Sequence, residues 1–499
     1  MKTMKKLLYI SIIAAGLVTG SCDDYLDVND DPNAISIDQL TPSLMLPSVE
    51  MNLATAYGNY LRIVGGYYSQ HYSQDFGTSN YLDYSQFEMS PTRSSGSVYS
   101  DLYQSVLNDI DAILEKSESA EEWGTYLAAT TLRAFTYQIL VDCYGETPYS
   151  DALNVGNNTP KYDDGKDVYN GIIAELDAAL EKVSSADVVC TNFLFQSGKA
   201  DAWIQFANAL KLKLYMRMAN VEDVKSKVET LVAENNFPTE DVAFKGIWKN
   251  ESGQMSPFFA EGFPSGWGSG QINVIANLAL IGTMQTEDYV DPRLPAFFEA
   301  NSEGNYTGGV SGVNFSTSSL KADYWCRPVA SYDMPVYLLT VSEIEFFLAE
   351  YYARYGSAGE AQGHYEAAIE ASFATAGVSG AEEYIAKYPY DNDNFKKSIG
   401  VAKWVALSGV NNFEAWCEVR RLDYPAFGDK QGVDFYNELT DEYAPDLYEP
   451  GTLYTPIKYF EKLGVNKVLE RFPYAESSST RNINAPEFPG YGVPVFWGK

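Results

Sequence analysis

VLNDIDAILEK (residues 106–116) and IIAELDAALEK (residues 172–182) align without a gap at an offset of 66 residues. That offset is close to two copies of a helix–turn–helix unit of roughly 34 residues, so the pair predicts stacked helix hairpins. Val98, Leu102, Val106, Ile110, Ile113 and Leu114 fall on one helical stripe, and Val168, Ile172, Ile173, Leu176 and Leu180 on another. Apolar residues three and four apart make one helix face that has to be buried. A second helical segment follows each stripe. The first, YLAATTLRAFTYQILVDCYG, carries Ala128, Ala129 and Ala134, where a neighbour can come close, and stops at Gly145 with Pro148 beyond. The second is DAWIQFANALKLKLYMRMAN from Asp201.

A third unit lies further on. The tetratricopeptide alternation of large and small residues can be laid on Glu345, Leu348, Ala349, Tyr352, Ala361 and Tyr365, departing from the pattern at Glu345 and Ala349. A fourth runs through FKKSIGVAKWVALSGVNNFEAWCEVRRLDYP from Phe395. Four such pairs predict a mostly α fold, a helical-repeat scaffold over about residues 96–220 and 341–424. Two tracts, about residues 65–95 and 246–330, read instead as loops with short strands, with glycine, serine and asparagine punctuating aromatics. They hold Tyr67, Tyr68, Tyr72, Phe76, Tyr81, Tyr84 and Phe87 in one, and Trp248, Trp267, Tyr306 and Phe315 in the other. Loops this long and this aromatic point to function. No linker interrupts the chain, so residues 22–499 read as one domain carrying loop insertions.

The N-terminus is a transport signal. Lys2, Lys5 and Lys6 precede an apolar run, residues 7–18, that is too short to span a bilayer. Thr19, Gly20 and Ser21 are small, and the cysteine after them resembles the lipobox of bacterial lipoproteins, with Thr19 where those usually carry Leu. The expectation is cleavage before Cys22 and lipidation on its thiol; the alternative is an ordinary secreted protein with a free Cys22. Several acyl chains at about 0.8 kcal/mol per buried CH₂ make a lasting anchor. After cleavage 32 basic and 67 acidic residues remain, a net charge of −35. Such a chain repels phosphate backbones and anionic lipid, which disfavours nucleic acid as a partner, so none is expected, and leaves the lipid as the membrane anchor. Cys143, Cys190, Cys326 and Cys417 are widely spaced; they allow one or two disulfides, with buried free thiols the expected state. With no C-x-x-C and two histidines, zinc and redox chemistry have no support, and no cofactor or metal is expected.

CDDYLDVNDDPN, LRAFTYQILVDCYGETPYSDAL, PKYDDGKDVYNGIIAELDAAL, WIQFANALKLKLYMRMAN, FEAWCEVRRLDYP and RFPYAESSSTRN, in this order, resemble the SusD/RagB family of outer-membrane lipoproteins, in its SusD-like 2 branch. The resemblance spans nearly the whole chain after the signal. It implies four tetratricopeptide-like helix pairs in a right-handed scaffold, supporting variable ligand-binding loops. It also implies a lid over a SusC-like TonB-dependent transporter that captures nutrient oligomers, mostly glycans, for import. Asp23 and Asp24 would then be the address that sends the lipidated chain to the cell surface.

The family's shared motifs name no ligand contacts, so site candidates come from chemistry. A sugar ring offers a flat C–H face and an edge of hydroxyls, and calls for exposed aromatic faces beside carboxylate, amide or guanidinium groups. Trp267 between glycines, Tyr324, Trp325 and Arg327 in KADYWCRP, and Asn80, Tyr81, Asp83 and Tyr84 in SNYLDYSQF supply both. Trp123, Trp203, Trp404 and Trp416 lie in helical patterns and read as packing. Asp27, Asn29 and Asp31 have the spacing of a calcium loop, but Pro32 stands where glycine is needed. Arg420 and Arg421 read as a helix end pairing with acids, and His71 and His364 as structural or surface groups.

No nucleophile elbow, phosphate-binding loop or H-E-x-x-H is present, which removes those chemistries and favours a binding protein over an enzyme. Two alternatives remain: a peptide receptor of the RagB kind, and a surface glycoside hydrolase, which would need only two suitably spaced carboxylates.

Overall fold

The computed structural model describes residues 40–75, 80–262, 273–313, 320 and 324–498, and they form a mostly α fold. Helix α1 (Pro42–Thr55) continues through a π-helical stretch into α2 (Arg62–Tyr68), which leads to strand β1 (Tyr72–Gln74). Then come α3 (Asn108–Ser119) with α4 (Trp123–Tyr144), and α5 (Gly165–Lys182) with α6 (Asp201–Met218), the first two pairs. The connecting region holds β2 (Val242–Phe244), β3 (Val274–Ala276), α7 (Leu278–Met284), β4 (Phe298–Glu299), β5 (Arg327–Pro328) and β6 (Val336–Leu339). The third pair is α8 (Val341–Tyr355) with α9 (Ala358–Ala376). After the short α10 (Ala381–Lys387), α11 (Phe395–Ala406) and α12 (Asn412–Leu422) make the fourth. The short strands pair antiparallel, β1 with β3, β2 with β6 and β4 with β5.

Local chemistry sets the helix limits. Thr340 and Ser357 accept from the backbone N–H groups of Glu343 and Glu360, whose carboxylates accept from the cap residues' own N–H groups in return. Asp164 caps α5 by accepting from Lys166 N at 2.8 Å. α4 stops at Gly145, whose φ of 82° only glycine adopts at little cost. The predicted stripes face inward: Val98, Leu102, Val106, Ile110 and Ile113 are fully buried, as are Val168, Ile172 and Leu176, while Leu114 and Leu180 lie at the margin. In the third pair Ala361 and Tyr365 are buried, and Glu345, off the repeat pattern, meets His364 Nδ1 at 2.7 Å under the stacked ring of Tyr352.

One expectation fails at its edge. The loop tract predicted from Gly65 begins later, because Gly65 and Gly66 lie inside α2. There they permit close approach rather than a turn. A Cβ on Gly65 would sit 2.5 Å from Phe413 Cα, and one on Gly66 would sit 2.2 Å from the Tyr72 ring, so α2 rests directly on α12.

Two apolar clusters hold the fold. The larger joins α1 to α6 with β1, β3, α7 and the C-terminal segment; the smaller gathers Tyr289, Phe346, Tyr365, Phe373, Tyr384 and Ile399 around α9, α10 and α11. Through the larger runs a buried ionic network. Glu414 binds Lys213 and Arg217, Arg217 reaches Asp142 at 2.8 Å, and Glu418 binds Lys403 at 3.1 Å and Arg421 at 2.7 Å. Arg421 also holds Glu350 at 2.5 Å. The expected pairing of the Arg420–Arg421 step with acids therefore occurs for Arg421, in the core rather than at the surface. Arg420 stacks on Trp416 at 3.6 Å and donates to the carbonyls of Asp142 and Glu470. Cys143, Cys190, Cys326 and Cys417 are all free thiols.

Candidate functional site

The two loop tracts, far apart in sequence, are stitched together. Tyr72 of β1 sits opposite Ala276 of β3, the Tyr67 hydroxyl donates to Asn273 O at 2.7 Å, and Ser73 Oγ donates to Gly309 O at 3.0 Å. Arg327 on β5 forms an ion pair with Asp75 at 2.9 Å. Segments of the two tracts are thus in direct contact.

In the first tract Tyr81 and Tyr84 stack with ring centroids 5.6 Å apart. Tyr84 is buried: its hydroxyl donates to Tyr60 at 3.1 Å and accepts from Arg93 at 3.2 Å. Asp83 pairs with Arg93 at 2.9 Å; burial raises its carboxyl above the usual range, with Arg93 opposing the rise. Tyr81 is half-buried and donates to Glu261 Oε1 at 2.8 Å, while Asn80 is exposed. The edge this tract shows to solvent is therefore Asn80, Tyr81 and the Glu261 carboxylate.

In the second tract Tyr324 is half-buried, and its carbonyl accepts from Asn301 Nδ2 at 3.0 Å and from the Thr307 hydroxyl. Trp325 departs from its expected exposure. Its ring is 2 % exposed, edge-on to Tyr324 at 4.9 Å and to Tyr443 at 5.2 Å. The reason is local. Cys326 N donates to Thr307 O at 3.1 Å, tying the chain just before β5 down so that Trp325 and Cys326 are both buried while Tyr324 keeps part of its ring in solvent. Trp325 supports Tyr324 from beneath. Trp267 and Cys22 lie outside the described residues.

Beside Tyr324 opens a groove of about 710 Å³, lined among others by Gln285, Asp288, Tyr306, Tyr443, Asp446 and Tyr448. The aromatics are held rigidly. Tyr443 donates to Gly308 O at 2.6 Å and Tyr448 to Thr452 O at 2.6 Å. Burial raises the phenols of Tyr306, Tyr324 and Tyr443, so all three stay neutral across the physiological range. Gln285, Glu287, Asp288 and Asp446 are exposed on the groove and carry its acceptors. Phenol edges beside carboxylates and an amide can meet a polyhydroxylated ring on its apolar face and at its hydroxyls. Among the described residues no group of three or more His, Cys, Asp or Glu side chains could hold a metal ion, and no helix is long and apolar enough to cross a membrane.

Residues 32–443 match the SusD-like 2 family, described as starch-binding and associating with the outer membrane. The chain belongs to that family. A SusD homologue from Bacteroides uniformis superposes with a TM-score of 0.71 at 21% identity, covering 91% of this chain and 99% of that one. A chitin-binding protein gives 0.71 at 20% identity, covering 92% of this chain and 100% of that one. A chitin-binding SusD homologue from Flavobacterium johnsoniae gives 0.69 at 21%, covering 90% and 98%. At these identities the structural likeness establishes the fold. A search of curated protein sequences finds no match.

In this SusD-like chain the structure packs Tyr324 on Trp325, sets Arg327 against Asp75, and joins Tyr81, Asp83 and Tyr84 through Arg93 and Tyr60. Tyr84, Trp325 and Asp83 position other groups. Sequence reasoning misses Gln285, Asp288, Tyr443, Asp446 and Tyr448, which reach the groove from segments more than a hundred residues apart. The available signal was weak: EYAPDLYEP repeats the aromatic–acid alternation of the loop tracts.

Proposed function

We propose that this SusD-like chain is a cell-surface lipoprotein that binds neutral oligosaccharides in the Tyr324 groove and passes them to a SusC-like TonB-dependent transporter for import. The observation that carries the reading is the groove itself, with ring edges from Tyr306, Tyr324 and Tyr443 beside exposed acceptors at Gln285, Asp288 and Asp446. The family's starch-binding description and the chitin-binding character of two similar structures support a glycan ligand. The acids on the groove and the net charge of −35 on the cleaved chain disfavour anionic polysaccharides. Anchoring through Cys22 supports surface placement. Asn80 and Tyr81 belong to the same proposed surface, with Arg327, Asp83, Tyr84 and Trp325 beneath it, and Trp267 stays a proposed sugar contact from its sequence setting alone.

The test is calorimetric titration with maltohexaose and N-acetylchitohexaose, followed by chromatography of the recovered sugar. Binding with intact recovery supports a receptor. New reducing ends would make the protein a hydrolase, and preference for mixed peptides in competition would make it a peptide receptor. Co-purification of a transporter barrel in mild detergent checks the partnership.

A further inference from the structure

A second hollow, of about 670 Å³, lies in the smaller apolar cluster and is lined by none of the candidates named from the sequence. Its walls come from α10, α11, the segment between α7 and β4, and the stretch after α12, and include Tyr289, Tyr388, Asp391, Asn394, Lys397 and Pro450. Tyr388 offers a half-buried ring at its lining, braced by Tyr384 at 4.9 Å and Tyr289 at 5.9 Å. The Tyr388 backbone is fixed as well, because its carbonyl accepts from the Tyr365 hydroxyl at 2.8 Å.

Tyr289 supplies the decisive feature. The residue is 8 % exposed, it lines the hollow, and its hydroxyl has no hydrogen-bond partner among the described residues. Buried hydroxyls nearly always have partners, so this one, sealed just behind the wall of the hollow, is a polar group that a ligand's own hydroxyl would satisfy on entering. Around the mouth Asp391, Asn394 and Lys397 are exposed and add acceptors and donors. An aromatic platform, a buried phenol and a polar rim are again the chemistry of a sugar ring.

The two hollows are neighbours. Pro450 lines both. Asp288 of the groove is paired with Lys387 of the hollow, and Thr283 of the hollow shares a hydrogen bond of 3.1 Å with Tyr448 of the groove. We infer that the Tyr289–Tyr388 hollow is a second saccharide subsite, reached across Pro450 from the Tyr324 groove, so that one long oligosaccharide fills both. This rests on the groove being a glycan site. A chain held at the first subsite meets the second at high effective concentration, so affinity should climb steeply once the oligomer is long enough to cross.

The experiment is a chain-length series of maltooligosaccharides and N-acetylchitooligosaccharides, from disaccharide to octasaccharide, titrated into the wild-type protein, Tyr289→Phe and Tyr388→Ala. Wild type should gain at least about tenfold in affinity across the series. Tyr289→Phe should remove most of that gain and leave the affinity for the shortest binding oligomers unchanged; Tyr388→Ala should do the same. Tyr289→Phe deletes one oxygen that has no partner, so its melting temperature should not fall. Affinity that is flat with length, or an undiminished gain in both variants, overturns the second subsite while binding of short oligomers keeps the groove. Absence of binding at every length in wild type overturns both.

Discussion

Glu414→Gln tests whether the buried charges hold the scaffold together. Glu414 is fully buried, binds Lys213 and Arg217, and accepts from Gln138 at 3.2 Å. Burial alone would raise its carboxyl; Arg217 and Lys213 outweigh that and hold it at about 2, against 4.5 for a free side chain. That displacement corresponds to about 3 kcal/mol favouring the charged form in the folded protein. Removing one member of a buried pair costs about 3–5 kcal/mol, because the partners stay buried with uncompensated charge. The amide should therefore destabilise by about 3–5 kcal/mol at pH 7. The folded carboxyl lies below its unfolded value, so its stabilisation is complete above pH 4.5 and is lost as the pH falls towards 2. The gap between wild type and variant should narrow over that interval. Urea denaturation followed by tryptophan fluorescence measures it, with Glu240→Gln as control. Glu240 is in an exposed pair with Lys245 and should matter by less than about 1 kcal/mol. Equal midpoints for the two variants would refute the argument.

The remaining predictions concern other parts of the fold. Burial pushes the Glu470 carboxyl up to about 7, with Arg420 and Arg471 opposing; its contribution is full below pH 4.5 and is lost as the pH rises through 7, so melting temperatures at pH 5 and pH 8 should differ more in wild type than in Glu470→Gln. Parallel behaviour of the two proteins would count against it. Gly65→Ala would drive a Cβ to 2.5 Å from the Phe413 backbone, which cannot swing aside, so a loss of about 1–3 kcal/mol should appear in denaturation. Cys22→Ala should move the protein from the membrane to the soluble fraction on cell fractionation, and a variant that stays with the membrane would remove the lipid-anchor proposal.

The helix pairs were legible in the sequence because their burial is periodic: Val98 to Ile113 and Val168 to Leu176 repeat every three or four residues, and each face has a partner helix waiting. Gly65 and Gly66 were misread because a glycine that lets two helices touch looks, in sequence, like one that makes a turn. The ionic network was hidden for a related reason. Lys213 and Arg217 stand one turn apart on a helix that is buried nearly all round from Phe206 onward, and only their distant partners reveal that they face inward. The candidate groove was half legible. Tyr324 and Tyr306 stand out by their loop setting, whereas Tyr443 and Tyr448 join them only through long-range contacts that no local pattern encodes. Trp325 shows the limit of reading exposure from a loop, since the groups that cover it, Tyr443 and the Thr307 backbone that ties down Cys326, are distant in sequence.

The central claim is that Tyr324 faces a glycan. Titration of maltohexaose and N-acetylchitohexaose into wild type and Tyr324→Ala addresses it directly, with circular dichroism confirming an unchanged helical signal. At least one sugar should bind wild type, and the variant should bind it about tenfold more weakly, the equivalent of about 1.4 kcal/mol for a lost ring contact. Equal affinity in the two proteins, or no binding of either sugar to wild type, would contradict the account.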